Sequence, residues 1–289
     1  MLRRFLEMLA CMVLVAAAAN PASAASASAP PQAAIDALTR AHAAVVGVSV
    51  TAAEGARSAE TLGEHRSGSG VVIDPEGLIL TIGYLMLEAD SIQIVTQDNR
   101  TFPAKPVAYD VATGFGLIRP LLPLPGVQSV PLGSHKDAAN GDAVLVISGG
   151  EDAKVAITQL VSKRAFSGYW EYHIEDALFT SPPVGNHSGA SLFNQRGELL
   201  GIGSLFVADA SGAAPRVPGN MFVPVDLLKP VLDGMQQTGS TRRSHPRGLV
   251  SPPPSREGAC RWSASPKEAL RRSVAWSRAT SSSPSTTSA

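Results

Sequence analysis

Short apolar runs, broken by Gly, Pro, Asn and Asp, fill the middle of the chain, and their period is nearer two than 3.6. Val45 to Thr51 alternates apolar and small residues and predicts a first strand. Gly68-Ser69-Gly70 leads into Val71-Val72-Ile73; Asp74-Pro75-Glu76-Gly77 is a turn by composition, and Leu78 to Thr81 predicts the return strand. Ile92–Thr96 and Thr101–Val107 read as a second hairpin turning at Asp98-Asn99-Arg100, followed by a short buried strand at Phe115–Ile118. Leu121–Pro125, punctuated by proline, marks a boundary. A second unit starts near Val127, with strands predicted at Asp142–Ile147, Lys154–Ser162, Trp170–His173 and Gly219–Val225. Helical spacing occurs at Ile35, Leu38 and His42, which predicts a short helix over Gln32–Ala43, and Asp226 is placed to cap a closing helix through Met235. The polar stretch Ala52–Ser67 reads as an exposed loop carrying a solvated His65. These lengths fit an all-β body of two antiparallel barrels, each of about a hundred residues, with short N- and C-terminal helices.

One stretch within that pattern can carry chemistry. Thr180 to Ile202 reads TSPPVGNHSGASLFNQRGELLGI, with Ser188 set among small residues and a turn from Asn194 to Gly197 behind it. That is the shape of a nucleophile loop running into a β-hairpin. A serine nucleophile needs a tight loop that exposes its hydroxyl and lets nearby backbone N–H groups face an oxyanion. Small neighbours permit the close backbone approach. Taken alone, the stretch fits a hairpin without chemistry equally well.

Composition narrows the setting. The chain has 289 residues and zero formal net charge, without a basic stripe, which argues against nucleic acid as a partner. Histidines and carboxylates are scattered without ligand spacing, so no metal and no cofactor is expected. Residues 1–24 read as a signal peptide: Arg3 and Arg4, a mostly apolar Phe5–Ala19 interrupted by Glu7, then small residues at Ala22-Ser23-Ala24. The apolar run is short for a membrane anchor, so no integral membrane segment is expected after cleavage. Residues 25–43 form a linker and the short helix. Cys11 falls in the leader and Cys260 in the tail, which leaves a body without cysteine, compatible with export to the periplasm.

Several motifs, in order, resemble the HtrA/Deg family of exported trypsin-like serine proteases. They are Gly68–Asp74 with Gly77–Thr81, Phe102-Pro103-Ala104-Lys105 followed by Asp110, Leu132-Gly133-Ser134 with Gly141-Asp142, Gly185–Asn194, and Asn220–Leu232. The resemblance covers Ala43 to Met235. It implies a trypsin (chymotrypsin-like) fold of two six-stranded barrels, barrel 1 at about 44–122 and barrel 2 at about 123–235. It also implies peptides or unfolded protein segments as partners, and a homotrimer.

The family's triad departs here. Its histidine position, a few residues after Leu80-Thr81, carries Tyr84, and its aspartate position carries Gly114; Ser188 alone matches. The oxyanion hole that the resemblance implies falls on Asn186, His187 and Ser188, with Asn186 where the family has glycine. Asparagine tolerates left-handed backbone better than most residues, which leaves that loop room to form. Tyr84 is a poor base, since an ordinary phenol has a pKa of about 10. His187 adjoins Ser188, and adjacent side chains usually diverge. Asp110 lies four residues before the aspartate position. His42, His135 and His173 have no motif around them.

Three functions stay open at this level. One is a pseudoprotease that binds peptides or a partner through the old substrate cleft, with Tyr84 filling the space of the imidazole. The second is an active serine endopeptidase of periplasmic protein quality control, with a non-standard base about 3 Å from Ser188. The third is a decayed gene product. The tail at 236–289, rich in Arg, Ser and Pro, reads either as a disordered extension or as a frameshifted remnant of a PDZ peptide-binding module.

Overall fold

The computed structural model describes residues 31–151, 153–168 and 173–238. The expected signal peptide, Trp170 and the tail from residue 239 onward lie outside the described residues.

Twelve strands build two closed antiparallel barrels. In barrel 1, β1 (Val45–Ala52), β2 (His65–Val72), β3 (Ile79–Ile82), β4 (Ala89–Val95), β5 (Thr101–Tyr109) and β6 (Phe115–Pro120) close in the order β1-β2-β3-β6-β5-β4. In barrel 2, β7 (Ala143–Ile147), β8 (Val155–Ser167), β9 (His173–Ser181), β10 (Ser191–Phe193), β11 (Leu199–Val207) and β12 (Gly219–Pro224) repeat that order. Closure removes the sheet edges that an open antiparallel sheet would expose.

Alternation along β1 sends Val46, Val48 and Val50 into the interior of barrel 1, where they meet Ile79, Ile92, Ile94 and Ile118. Val144, Val146, Leu160, Leu178, Leu192, Leu200 and Phe222 fill barrel 2. Some strands are buried on both faces. Ile79 belongs to the barrel 1 interior, while its neighbour Leu80 joins a larger core that reaches Phe179 and Phe193 of barrel 2. The apolar run Leu78-Ile79-Leu80, resumed at Ile82 after the buried Thr81, reflects that double burial rather than a helix.

The barrels meet backbone to backbone. A Cβ added to Gly149 would collide with the Val46 carbonyl carbon and the Gly47 nitrogen, and one added to Gly47 would strike Gly150. Helix α1 (Pro31–Ala44) packs Leu38, Ala41 and Ala44 into the shared core, and Ala37 lies against Gly197 of the β10–β11 turn.

Three elements differ from the sequence reading. β2 starts at His65, inside the stretch read as a loop, because polar side chains do not prevent its backbone from pairing with β1 from Thr51↔His65 onward; that loop also holds a one-turn helix, α2 (Ala59–Leu62). β9 runs on through Ser181, where Glu175 and Asp176 break the apolar alternation that signals a strand. Asp226 caps no helix. It sits in a 3-10 turn (Val225–Leu227), and the closing helix α3 (Leu232–Thr238) starts only after Pro230, whose ring disfavours helical backbone at the preceding residue, and ends three residues beyond Met235.

Candidate active site

Ser188 lies in a β-turn. Ala190 N–H donates to the His187 carbonyl at 3.0 Å, and Gly189 sits at φ +73° while Ser188 keeps negative φ, the signature of a type II turn. Glycine is required at that corner for a second reason: a Cβ on Gly189 would collide with the Ser69 carbonyl oxygen. Gly189 N–H donates to the Gly203 carbonyl at 2.8 Å, which ties the turn to β11.

Barrel 1 holds the same turn through Ser69, which is buried. Its N–H donates to the Ser188 carbonyl (2.9 Å), its hydroxyl oxygen accepts from Gly149 N–H (3.0 Å), and its carbonyl accepts from the Thr81 hydroxyl (2.7 Å). One small residue thus joins the Ser188 turn, the loop after β7 and strand β3.

Tyr84 completes the site. It stands in a 3-10 turn (Gly83–Met86) after β3, and its hydroxyl donates to Ser188 Oγ at 2.7 Å and to the Ser204 carbonyl at 3.1 Å. A carbonyl can only accept, so when the phenol proton serves Ser204 the serine supplies the proton between the two hydroxyls. Burial pushes the phenol up to about 12, and its hydrogen bond with Ser188 offsets only part of that rise. The neutral Tyr84 accordingly has little tendency to take a proton from Ser188 near neutrality.

The turn that carries Tyr84 is anchored. Arg66, buried, donates to the Gly63 carbonyl (3.0 Å), the Leu87 carbonyl (2.6 Å), the Tyr84 carbonyl (3.4 Å) and the Ser58 hydroxyl (2.6 Å). Gly83 N–H donates to the Gly114 carbonyl at 2.7 Å, and the Tyr109 ring occupies the space a Gly83 side chain would need. Gly114 itself has φ +77°, a left-handed backbone where an aspartate would be strained. Asp110 is buried and accepts from Thr113 N–H (3.1 Å) and the Thr113 hydroxyl (2.5 Å), closing its own turn.

The histidines are placed elsewhere. His187 Nδ1 lies 3.0 Å from the Gly185 carbonyl, which puts the proton on Nδ1, and burial lowers its pKa. His135 pairs with Asp226 at 2.7 Å, His173 with Ser167 at 2.9 Å, and His65 with Thr51 at 3.4 Å. Asn186, expected to tolerate left-handed backbone, does not use it: Glu88 and Asn99 are the left-handed non-glycine residues among those described. Asn220, fully buried on β12, accepts from Val184 N–H (2.7 Å) and donates to its carbonyl (3.2 Å), which fixes the segment leading to Ser188.

Sequence reasoning missed Ser69, Arg66, Ser204 and Asn220. Ser69 and Asn220 lie within motifs singled out above, but their roles stay hidden there because each of the four residues acts on a partner from another element. A cavity of about 390 Å³ lies away from Ser188, between the Asp74–Gly77 turn and residues 119–124. It shares no residue with the site above.

Two six-stranded barrels with a tight serine turn between them define a trypsin-like serine protease fold. Residues 68–202 match the trypsin-like peptidase domain family. The serine endoprotease DegS of Escherichia coli is 30% identical over 182 residues, covering 62% of this chain and 50% of that one. A probable periplasmic serine endoprotease, DegP-like, of Halomonas elongata is 29% identical over 200 residues, covering 67% and 40%. The solved structure of the HtrA-type protease AlgW with a tripeptide superposes with a TM-score of 0.57 at 24% identity, over 71% of this chain and 64% of that chain. These sequence matches support kinship with the HtrA/Deg trypsin-like serine proteases, and the chain spans about half the length of the curated relatives it matches.

Proposed function

We propose that this chain is a pseudoprotease of the HtrA/Deg family that binds extended peptide or unfolded protein segments in the cleft beside Ser188. One observation carries the reading: the partner of the Ser188 hydroxyl is the Tyr84 phenol, whose pKa burial pushes up to about 12. A general base works best with a pKa near the operating pH, and this group is far above it. The oxyanion-hole positions Asn186, His187 and Ser188 belong to the same proposal, as parts of a binding loop.

The binding half rests on β11. β10 pairs with it only from Leu199 to Ile202, while β12 pairs with it as far as Val207. On the side facing Ser188, Ser204–Val207 have no strand partner among the described residues, and Leu205 and Phe206 are exposed there. A free edge beside apolar side chains suits an added peptide strand. Export to the periplasm and assembly as a homotrimer complete the proposal. Export is supported by the basic, then apolar start of the sequence and by kinship with a relative named periplasmic; the homotrimer rests on the family resemblance alone.

Reaction with a fluorophosphonate probe tests the inactive half. The expected result is no labelling of the folded wild type. Labelling that disappears in Ser188→Ala would overturn the reading and make the chain an active serine endopeptidase.

A further inference from the structure

Tyr84 does more than stand where a base is missing. Its hydroxyl also holds the Ser204 carbonyl at 3.1 Å. Gly203 turns its N–H and C=O toward residues 189–190, away from β12, and the bulge between Gly203 and Leu205 inserts one residue. Counted across that bulge, Phe206 faces the same open side as the Ser204 carbonyl. An added strand would therefore pair with Phe206 and place an N–H at the Ser204 oxygen, and Tyr84 already occupies that oxygen.

We infer that Tyr84 is a latch on the peptide edge: a bound strand and the Tyr84–Ser204 hydrogen bond compete for one carbonyl oxygen, so occupancy of the edge displaces the phenol from Ser204 and from Ser188 together. The inference rests on the peptide-binding reading above. An oxygen that already accepts from a phenol is a poorer acceptor for a second donor, so the competition holds even though a carbonyl has two lone pairs. Arg66 and the Gly83–Gly114 bond fix the backbone on both sides of Tyr84. Release is then a rotation of the side chain alone, on the timescale of a rotamer change rather than of a loop rearrangement. Such a latch sets a threshold: a ligand that offers only side-chain contacts leaves it closed, and one that offers a backbone N–H opens it.

The test uses a fluorescein-labelled hexapeptide of alternating valine and serine, and the same peptide N-methylated at alternate positions. Tyr84→Phe keeps the ring and removes the hydroxyl; it is expected to bind the unmodified peptide about fivefold to tenfold more tightly than wild type, from one freed acceptor. N-methylation is expected to abolish that gain. In the wild type, the ring-carbon NMR resonance of Tyr84 is expected to shift on saturation. Equal affinity of wild type and Tyr84→Phe, with an unmoved Tyr84 resonance, would overturn the latch and leave peptide binding standing. An equal gain by Tyr84→Phe with the N-methylated peptide would overturn it too. Absence of binding by every variant would remove the peptide-binding reading, and the latch with it.

Discussion

Tyr84 Oη and Ser188 Oγ, 104 residues apart in sequence, lie 2.7 Å from each other across the junction of the two barrels. In the proposed pseudoprotease this pair of hydroxyls stands in place of an imidazole–serine pair, and its protonation follows from burial. The phenol, pushed up to about 12, stays neutral in the folded state after it has begun to ionise in the unfolded chain, where its pKa is about 10. Its contribution to stability is fully present below pH 10 and is lost as the pH rises through about 12, about 2–3 kcal/mol in all. Urea unfolding of wild type and Tyr84→Phe between pH 9 and 12 should show the wild type losing more stability by about that amount. Parallel curves would mean that the phenol is solvated.

Installing the histidine and aspartate that the proposed reading finds absent at 84 and 114 is expected to cost stability. Gly114→Asp places an L side chain at φ +77° and should destabilise by about 1 kcal/mol, read as a lower urea midpoint. Gly114→Asn should cost somewhat less. The double variant Tyr84→His/Gly114→Asp should remain unlabelled by a fluorophosphonate, since strain at 114 works against the geometry that holds an imidazole.

Gly189 and Gly77 offer a paired test of why the Ser188 turn needs glycine. Both have positive φ, +73° and +82°, but a Cβ at Gly77 meets open space while one at Gly189 collides with Ser69. Gly77→Ala should cost about 1 kcal/mol, from backbone strain alone. Gly189→Ala should cost about 3 kcal/mol or prevent folding, because overpacking is added to the strain. Similar losses at both positions would show that the Ser69 contact is soft.

Asp226 governs stability in acid. Burial alone would raise its pKa, but the His135 N–H, the His135 ring and the Ser134 hydroxyl together lower it to about 2. The stability it supplies is present above its ordinary value near 3.8 and is lost as the pH falls through about 2. Asp226→Asn should therefore destabilise by about 2 kcal/mol at pH 6, and the difference from wild type should shrink toward pH 2.

Much of the fold is legible in the sequence. Alternation at Val46, Val48 and Val50, the Asp74–Gly77 and Asn194–Gly197 turns, and glycines at fixed places mark the hairpins because strand period and turn chemistry are local properties. Legibility fails where pairing overrides pattern. His65 joins a strand through its backbone, the charges in β9 hide a buried strand, and Pro230 delays a helix that Asp226 had suggested.

By itself the sequence determined that a tight serine loop follows the first set of strands and that the stretch from Ala25 to Met235 holds no cysteine, and it led to the proposal that Tyr84 and Gly114 take the triad positions. Only the tertiary structure decided that Tyr84 reaches both Ser188 and Ser204, that Arg66 fixes the turn beneath it, and that Ser69 ties the Ser188 turn to barrel 1. The reason is physical. A strand or a turn is written by neighbours a few residues apart, whereas these contacts join residues up to 120 positions apart and exist only once two closed barrels bring their loops together.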